Sequence, residues 1–116
     1  MTKFSIITPV FDPPLAALQK CIDSVVAQSH SNWEWCLVDD GSTDPNVLAK
    51  LRQLANLDHR IKVHLSAVNG GIVAASNTAL GLATGEWVVF LDHDDKLALN
   101  ALEALDDLIV KRNHWI

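Results

Sequence analysis

Trp87-Val88-Val89-Phe90-Leu91-Asp92-His93-Asp94-Asp95 is the stretch on which the fold turns. Its first five residues are apolar, and four of them are β-branched or aromatic. Such a run reads as a central strand, buried on both faces in the middle of a parallel sheet. It then empties into three aspartates and a histidine. Open α/β sheets carry their chemistry at the carboxyl ends of the strands, and an apolar strand that stops on acids fits that plan.

The same switch recurs upstream. Phe4-Ser5-Ile6-Ile7-Thr8 is short and apolar, and Pro9 ends it. Asp12 offers an N-cap, and Pro13 and Pro14 suit the first turn of a helix that carries Leu15, Leu18, Ile22, Val25 and Val26. Trp33 to Val38 is the next strand, with Trp33 and Trp35 on one face and expected in the core. Asp44-Pro45 repeats the cap-and-proline signal before a helix with Val47, Leu48, Leu51, Leu54 and Ala55. Ile61, Val63 and Leu65 alternate with Lys62 and His64, which predicts a half-buried edge strand. After Asn69-Gly70-Gly71 a small-residue helix is predicted over Ile72 to Thr84, stopped by Gly85. A last helix carries Leu97, Ala101, Leu102, Leu105, Leu108 and Ile109, with Asn100 and Glu103 at capping-box spacing and Lys111 and Arg112 near its end.

Four strand–helix units in strict alternation predict an α/β fold: a Rossmann-like three-layer α/β/α domain with a mostly parallel sheet and right-handed crossovers. One domain is expected over residues 1–116. Its four strands look like half of a larger sheet, truncated after the fourth strand–helix unit, where the chain ends on Trp115-Ile116.

Composition narrows the functions open to it. With 49% hydrophobic and 20% charged residues, the chain can build a core and is not disordered. Nine basic against fourteen acidic residues give a net charge of -5, which argues against nucleic acid as a partner. Cys21 and Cys36 are too few for a disulfide framework or a cysteine zinc site and read as buried thiols in a reducing compartment. No apolar run approaches a transmembrane segment, and a strand from Phe4 leaves no room for a signal peptide. A cytoplasmic protein is expected.

The unusual residues gather at the four strand ends, and each cluster admits two readings. Asp92, Asp94 and Asp95 repel one another. Two carboxylates ~4 Å apart cost roughly 4 kcal/mol at an effective dielectric of 20. A hard divalent cation relieves that repulsion, whereas a solvated turn capping the next helix would tolerate it. Asp39-Asp40-Gly41-Ser42 is either a tight turn or an acceptor for a ligand N–H or hydroxyl. Asn69-Gly70-Gly71 is either a turn or a place where backbone N–H groups meet phosphates. His93 is either a turn residue or a ligand, and His30, His59, His64 and His114 form no metal motif with it. Pro9 to Pro14 stand where a dinucleotide site would place GxGxxG, and no GxxxxGK[ST] occurs. A phosphoryl-transfer receiver domain would need its acids on other strands and a late lysine.

Taken in order, Phe4-Ser5-Ile6-Ile7-Thr8-Pro9-Val10-Phe11, Trp35-Cys36-Leu37-Val38-Asp39-Asp40-Gly41-Ser42-Thr43-Asp44, Asn69-Gly70-Gly71-Ile72 with Ala75-Ser76-Asn77, and Gly85 to Asp95 resemble the family 2 glycosyltransferases of the GT-A fold. The resemblance covers nearly the whole chain. It implies an inverting transferase that moves a sugar from a nucleotide-diphosphate donor of UDP or dTDP type to a glycan or lipid-linked acceptor, in the cytoplasm or at the inner membrane face. It implies that Pro9, Val10 and Phe11 border the base and ribose, and that Asp40, with Asp39, accepts from the base. Asn69, Gly70, Gly71, Ser76 and Asn77 join the donor site. Asp92-His93-Asp94 matches the Asp-x-Asp signature, with Asp94 holding Mn²⁺ or Mg²⁺ and Asp92 beside the ribose or metal. Many members carry Arg where this chain has Ser76. The general base and the acceptor half are expected beyond Ile116, because Glu103, Asp106 and Asp107 read as the wet face of the last helix. The rival reading is a truncated, non-catalytic nucleotide-binding module. The bare apolar edge expected on the last strand would make either one self-associate, as a homodimer.

Overall fold

The computed structural model describes residues 1–113; His114, Trp115 and Ile116 lie outside the described residues. Its elements run β1 (Phe4–Val10), α1 (Leu15–Val26), β2 (Trp33–Asp39), α2 (Pro45–Leu57), β3 (Ile61–Leu65), α3 (Ile72–Leu82), β4 (Trp87–Phe90) and α4 (Ala101–Asn113). The four strands form one parallel sheet in the order β3-β2-β1-β4. The first two crossovers therefore step outward in one direction, and the third jumps back past β1.

Period-two alternation sorts the side chains into two cores. Phe4, Ile6 and Val10 of β1 and Trp33, Trp35 and Leu37 of β2 meet Leu18, Cys21, Ile22 and Val25 of α1, Val47, Leu51 and Leu54 of α2 and Leu102 of α4. Each large apolar side chain buried there contributes roughly 1.5–3 kcal/mol. On the other face Ile7, Cys36 and Val38 meet Ala75 and Ala79, whose small side chains let α3 lie close to the sheet. The result is the expected three-layer α/β/α arrangement. Both cysteines are free and buried, and both Trp33 and Trp35 lie in the core. Trp33 also carries the Arg60 guanidinium 3.7 Å above its ring.

Four local expectations need correction. The apolar strand β4 has the bare far edge expected of it, but it lies at the rim of the sheet rather than buried on both faces in its middle. Among the described residues it pairs with β1 alone, and Trp87 and Phe90 are 51% and 64% exposed. Apolarity reports what should cover a strand; here Val89 packs on the main core, while Trp87, Val88 and Phe90 stay exposed among the described residues. The helix α3 stops at Leu82 rather than Thr84, because Ala83 turns extended and the Thr84 N–H donates to Glu34. Gly85 instead serves a close approach: a Cβ there would sit 2.6 Å from Ser5 Oγ and 2.8 Å from Ser5 N. Asp12 does not cap α1, whose N-cap is Pro14 without a side-chain bond, whereas Asp44 caps α2 as expected, accepting from Asn46 N–H at 2.9 Å. At α4 no capping box forms: Glu103 accepts the Ser29 hydroxyl at 2.7 Å, and Gln28 Oε1 takes the Leu102 N–H at 3.1 Å. Of the apolar positions on that helix Leu102 is buried and Ile109 packs on the core, while Leu105 and Leu108 are exposed.

Candidate functional site: the cleft at the strand ends

Strand order reverses between β1 and β4, so the loops that follow them part and leave a crevice, the usual ligand position in open α/β sheets. A cleft of about 330 Å³ opens there. It brings together Pro9, Val10 and Phe11 from the end of β1, Asp40 from after β2, Asn69 and Gly71 from before α3, and His93 from after β4. Ile72, the first residue of α3, completes the wall and continues into an adjoining hollow of about 210 Å³ with Pro9, Asp92, His93 and Asp94. A larger hollow of about 610 Å³ lies between α1 and α2, but Lys50 is the one charged residue in its lining. Ser76 is half-buried and Asn77 exposed on α3, and neither lines the cleft.

The two adjacent aspartates after β2 do different work. Asp39 is 1% exposed and turns inward: its carboxylate accepts the N–H of Ser42 at 2.8 Å and also the Ser42 hydroxyl. Asp40 faces the cleft. Its Oδ1 accepts Gly70 N–H at 2.8 Å and its Oδ2 accepts Gly71 N–H at 2.9 Å, while its own N–H donates to Val10 C=O at 2.7 Å. A carboxylate thus sits at the positive end of α3, where the helix dipole favours it. The Gly70 and Gly71 N–H groups, read from sequence as candidates for phosphate, are here directed at Asp40. Each Asp40 oxygen keeps a second lone pair for a further donor. Gly41 makes the approach possible, with φ at +76° and a would-be Cβ only 3.0 Å from Asn69 N.

On the far side of the cleft His93 Nδ1 accepts Phe11 N–H at 3.2 Å, which joins the acidic loop to the end of β1. An accepting Nδ1 leaves the ring proton on Nε2. Asp92, Asp94 and Asp95 are exposed, and each offers an oxygen within 4.8 Å of the others. Among the described residues no Lys or Arg lies within ion-pair distance of them. An all-oxygen, solvent-facing set of this kind fits Mg²⁺ or Mn²⁺. Cys21 lies beneath, its thiol donating to Asp92 C=O at 3.6 Å. Burial first, then the charges of Asp95, Asp94 and Asp92, push that thiol up to about 12.

Two contributors escape a reading of the sequence. Ile72 looks like an ordinary first helical residue; its position after a Gly-Gly turn at a strand end was the available signal. Asp12 accepts Thr43 N–H at 2.9 Å, the Thr43 hydroxyl at 2.8 Å and Asp44 N–H at 3.0 Å. Those bonds, led by the one from Asp44, hold its carboxyl below the usual range.

Comparison with known proteins agrees with this geometry. TarS from S. aureus superposes with a TM-score of 0.84 at 30% identity over 94% of this chain and 32% of that one, and its complex with UDP gives 0.82 at 29% over the same shares. The mannosyltransferase PcManGT from Pyrobaculum calidifontis, in complex with GDP-Man and Mn²⁺, gives 0.75 at 26% identity over 84% of this chain and 29% of that one. The fold is therefore that of the GT-A glycosyltransferases. In sequence, the model of "Glycosyl transferase family 2" matches residues 5–114, and the chain belongs to that family. The putative teichuronic acid biosynthesis glycosyltransferase TuaG of Bacillus subtilis is 38% identical over 94% of this chain and 42% of its own length. The glycosyltransferase GlyA of Streptococcus pneumoniae is 36% identical over 94% of this chain and 15% of its own length. The chain spans less than half the length of these relatives.

Proposed function

We propose that this chain is the donor-binding portion of an inverting glycosyltransferase acting in polysaccharide biosynthesis. The donor is a nucleotide-diphosphate sugar of UDP or dTDP type, and the acceptor is a glycan or a lipid-linked glycan at the cytoplasmic face of a membrane. The observation that carries the proposal is the convergence of all four strand-end clusters on one crevice, with a hard-oxygen acidic set at its rim. Phe11, Pro9 and Val10 then border the base and ribose, and Asp40 accepts a ring N–H. Asp94, with Asp92, holds the divalent ion. A bound cation neutralises charge that develops on the leaving diphosphate, a Lewis-acid role. The description of TuaG as a putative teichuronic acid biosynthesis glycosyltransferase supports the acceptor class. Among the described residues no helix is long and apolar enough to cross a membrane.

The general base is assigned to none of the described acids. Glu103 is bonded to Ser29, and Asp106 accepts Thr2 N–H at 3.1 Å, beyond the opposite end of β1 from the cleft. The 116-residue chain alone should bind donor and transfer little sugar. The test is a competition series with UDP, dTDP, GDP and ADP, followed by a donor-consumption assay with varied acceptors. Tighter binding of the pyrimidine nucleotides with slight turnover is expected. Indifference to the base would remove the donor assignment.

A second reading, self-association as a homodimer, is favoured by the unpaired edge of β4 with Trp87 and Phe90 bare. Light scattering should give twice the chain mass, and Phe90→Lys should return it to the monomer. A parent that stays monomeric at high concentration would remove that reading.

A further inference from the structure

Among the described residues one non-glycine residue holds a left-handed backbone: Asp12, with φ at +41°. An L-residue enters that region at a cost, which Asp and Asn tolerate better than others. The contorted turn is not used to start α1, since that helix has no side-chain cap. Every bond of Asp12 runs sideways instead. Its carboxylate accepts from Thr43 and Asp44 in the loop after β2, and its N–H donates to Ser42 Oγ at 2.9 Å. That hydroxyl in turn donates to Asp39. The clasp therefore ties the segment next to Phe11 to the segment next to Asp40. Phe11 itself is 44% exposed and lines the cleft with an aromatic ring that little packing restrains. Backbone strain held beside a cleft by bonds to a neighbouring loop points to positioning.

We infer that Asp12 is a positioning residue for the nucleobase end of the cleft, setting the spacing between the Phe11 ring and the Asp40 carboxylate. The inference rests on the donor-binding reading above. It has a selective consequence. Asp92 and Asp94 come from the loop after β4, which makes no bond to Asp12 and meets the end of β1 through the Phe11 N–H to His93 Nδ1 bond, so loss of Asp12 should loosen the base end more than the metal-diphosphate end.

The test uses the 116-residue chain and two ligands, UMP for the base end and Mn²⁺-pyrophosphate for the other, each measured by calorimetry well below the unfolding midpoint. Asp12→Gly keeps the backbone conformation at no steric cost and removes the clasp. It should weaken UMP about tenfold, the order expected for losing a charge-assisted set of bonds, and leave Mn²⁺-pyrophosphate within about twofold. Asp12→Asn keeps an acceptor oxygen and tolerates the same φ, and should restore UMP affinity to within about threefold of the parent. Unchanged UMP binding in Asp12→Gly would overturn the inference, as would equal loss of both ligands, which marks a structural role. Failure of Asp12→Asn to restore binding would overturn it too. A parent that binds neither ligand would remove the donor-binding reading, and the inference with it.

Discussion

The two ends of the sheet treat carboxylates in opposite ways. At the amino end Glu34 of β2 is 3% exposed and accepts from the Ser5 hydroxyl, from Thr84 N–H and from the Thr84 hydroxyl, with Lys62 Nζ at 2.8 Å and Lys3 Nζ at 3.6 Å. Burial is the largest single influence and pushes its carboxyl up, yet the bonds from Lys62, Ser5 and Thr84 together outweigh it and hold the group well below the carboxylate range. At the carboxyl end Asp92, Asp94 and Asp95 crowd together in solvent, with no Lys or Arg in ion-pair reach among the described residues. The first set is closed on itself and fastens β1, β2 and the α3–β4 connection together. The second gains nothing for the fold from its crowding. Acids whose lone pairs are all answered internally are structure; acids gathered at strand ends without a cation are the ones to assign to a ligand.

The contrast breaks most visibly at Glu34. Truncation to Ala leaves the buried Ser5 hydroxyl without its acceptor, at about 1–3 kcal/mol, while the N–H and hydroxyl of the exposed Thr84 lose their bonds but can turn to water. Lys3 and Lys62 are partly exposed and add little. We expect Glu34→Ala to lose on the order of 2–3 kcal/mol in urea unfolding, with nucleotide affinity of the folded chain unchanged. An unfolding midpoint equal to the parent's would show that the amino-end set is decorative.

Asp40 sits between the two types, since it is answered internally by Gly70 and Gly71 and also faces the cleft. Asp40→Ala should weaken nucleotide binding tenfold or more, as expected for roughly 1.5–3 kcal/mol in a charge-assisted bond. It should also cost about 1 kcal/mol in stability, the worth of a helix cap. A stability loss with full nucleotide affinity would move Asp40 to the structural class and make Asp39 the next candidate for the base.

The smallest effect is in acid. Glu34 has a native pKa below its unfolded value of 4.5, so its stabilisation is complete above that pH. It is lost as pH falls from there toward the depressed native value. Asp58, drawn down to about 2 mainly by its hydrogen bond from Arg60, adds in the same direction, losing its share below 3.8. Glu34→Gln should therefore flatten the acid limb of a plot of urea midpoint against pH. An acid limb as steep as the parent's would place the titrating groups elsewhere.

Much of this was legible in the sequence, for physical reasons that differ by residue. Asp44-Pro45 and the apolar spacings of α1 and α2 are local signals, and they read correctly. The bare edge of β4 was legible but its exposure was not, because an apolar run reports the cover a strand requires and not whether this chain supplies it. Glu34 looks like an unremarkable polar residue of a strand. Its partners Ser5 and Lys62 reach it only through the register that pairs Ser5 with Glu34 and Cys36 with Lys62 across three strands. Asp12 was misread as a helix cap because its true partners lie 31 and 32 residues away. Asp39 and Asp40 stood out as a pair, but their division into an inward and a cleft-facing carboxylate depends on where the Gly70-Gly71 turn lands.

The central claim, that the acids at the carboxyl end hold a cation for a nucleotide diphosphate, is tested most directly by calorimetry of UDP with Mn²⁺ and with excess chelator, on the parent and on Asp94→Ala. The parent should bind at least about tenfold more tightly with the metal, a difference of 1.4 kcal/mol. Asp94→Ala should bind UDP alike in both conditions while unfolding at the parent's urea midpoint. Equal affinity of the parent with and without metal would contradict the account and leave Asp92, Asp94 and Asp95 as a solvated turn.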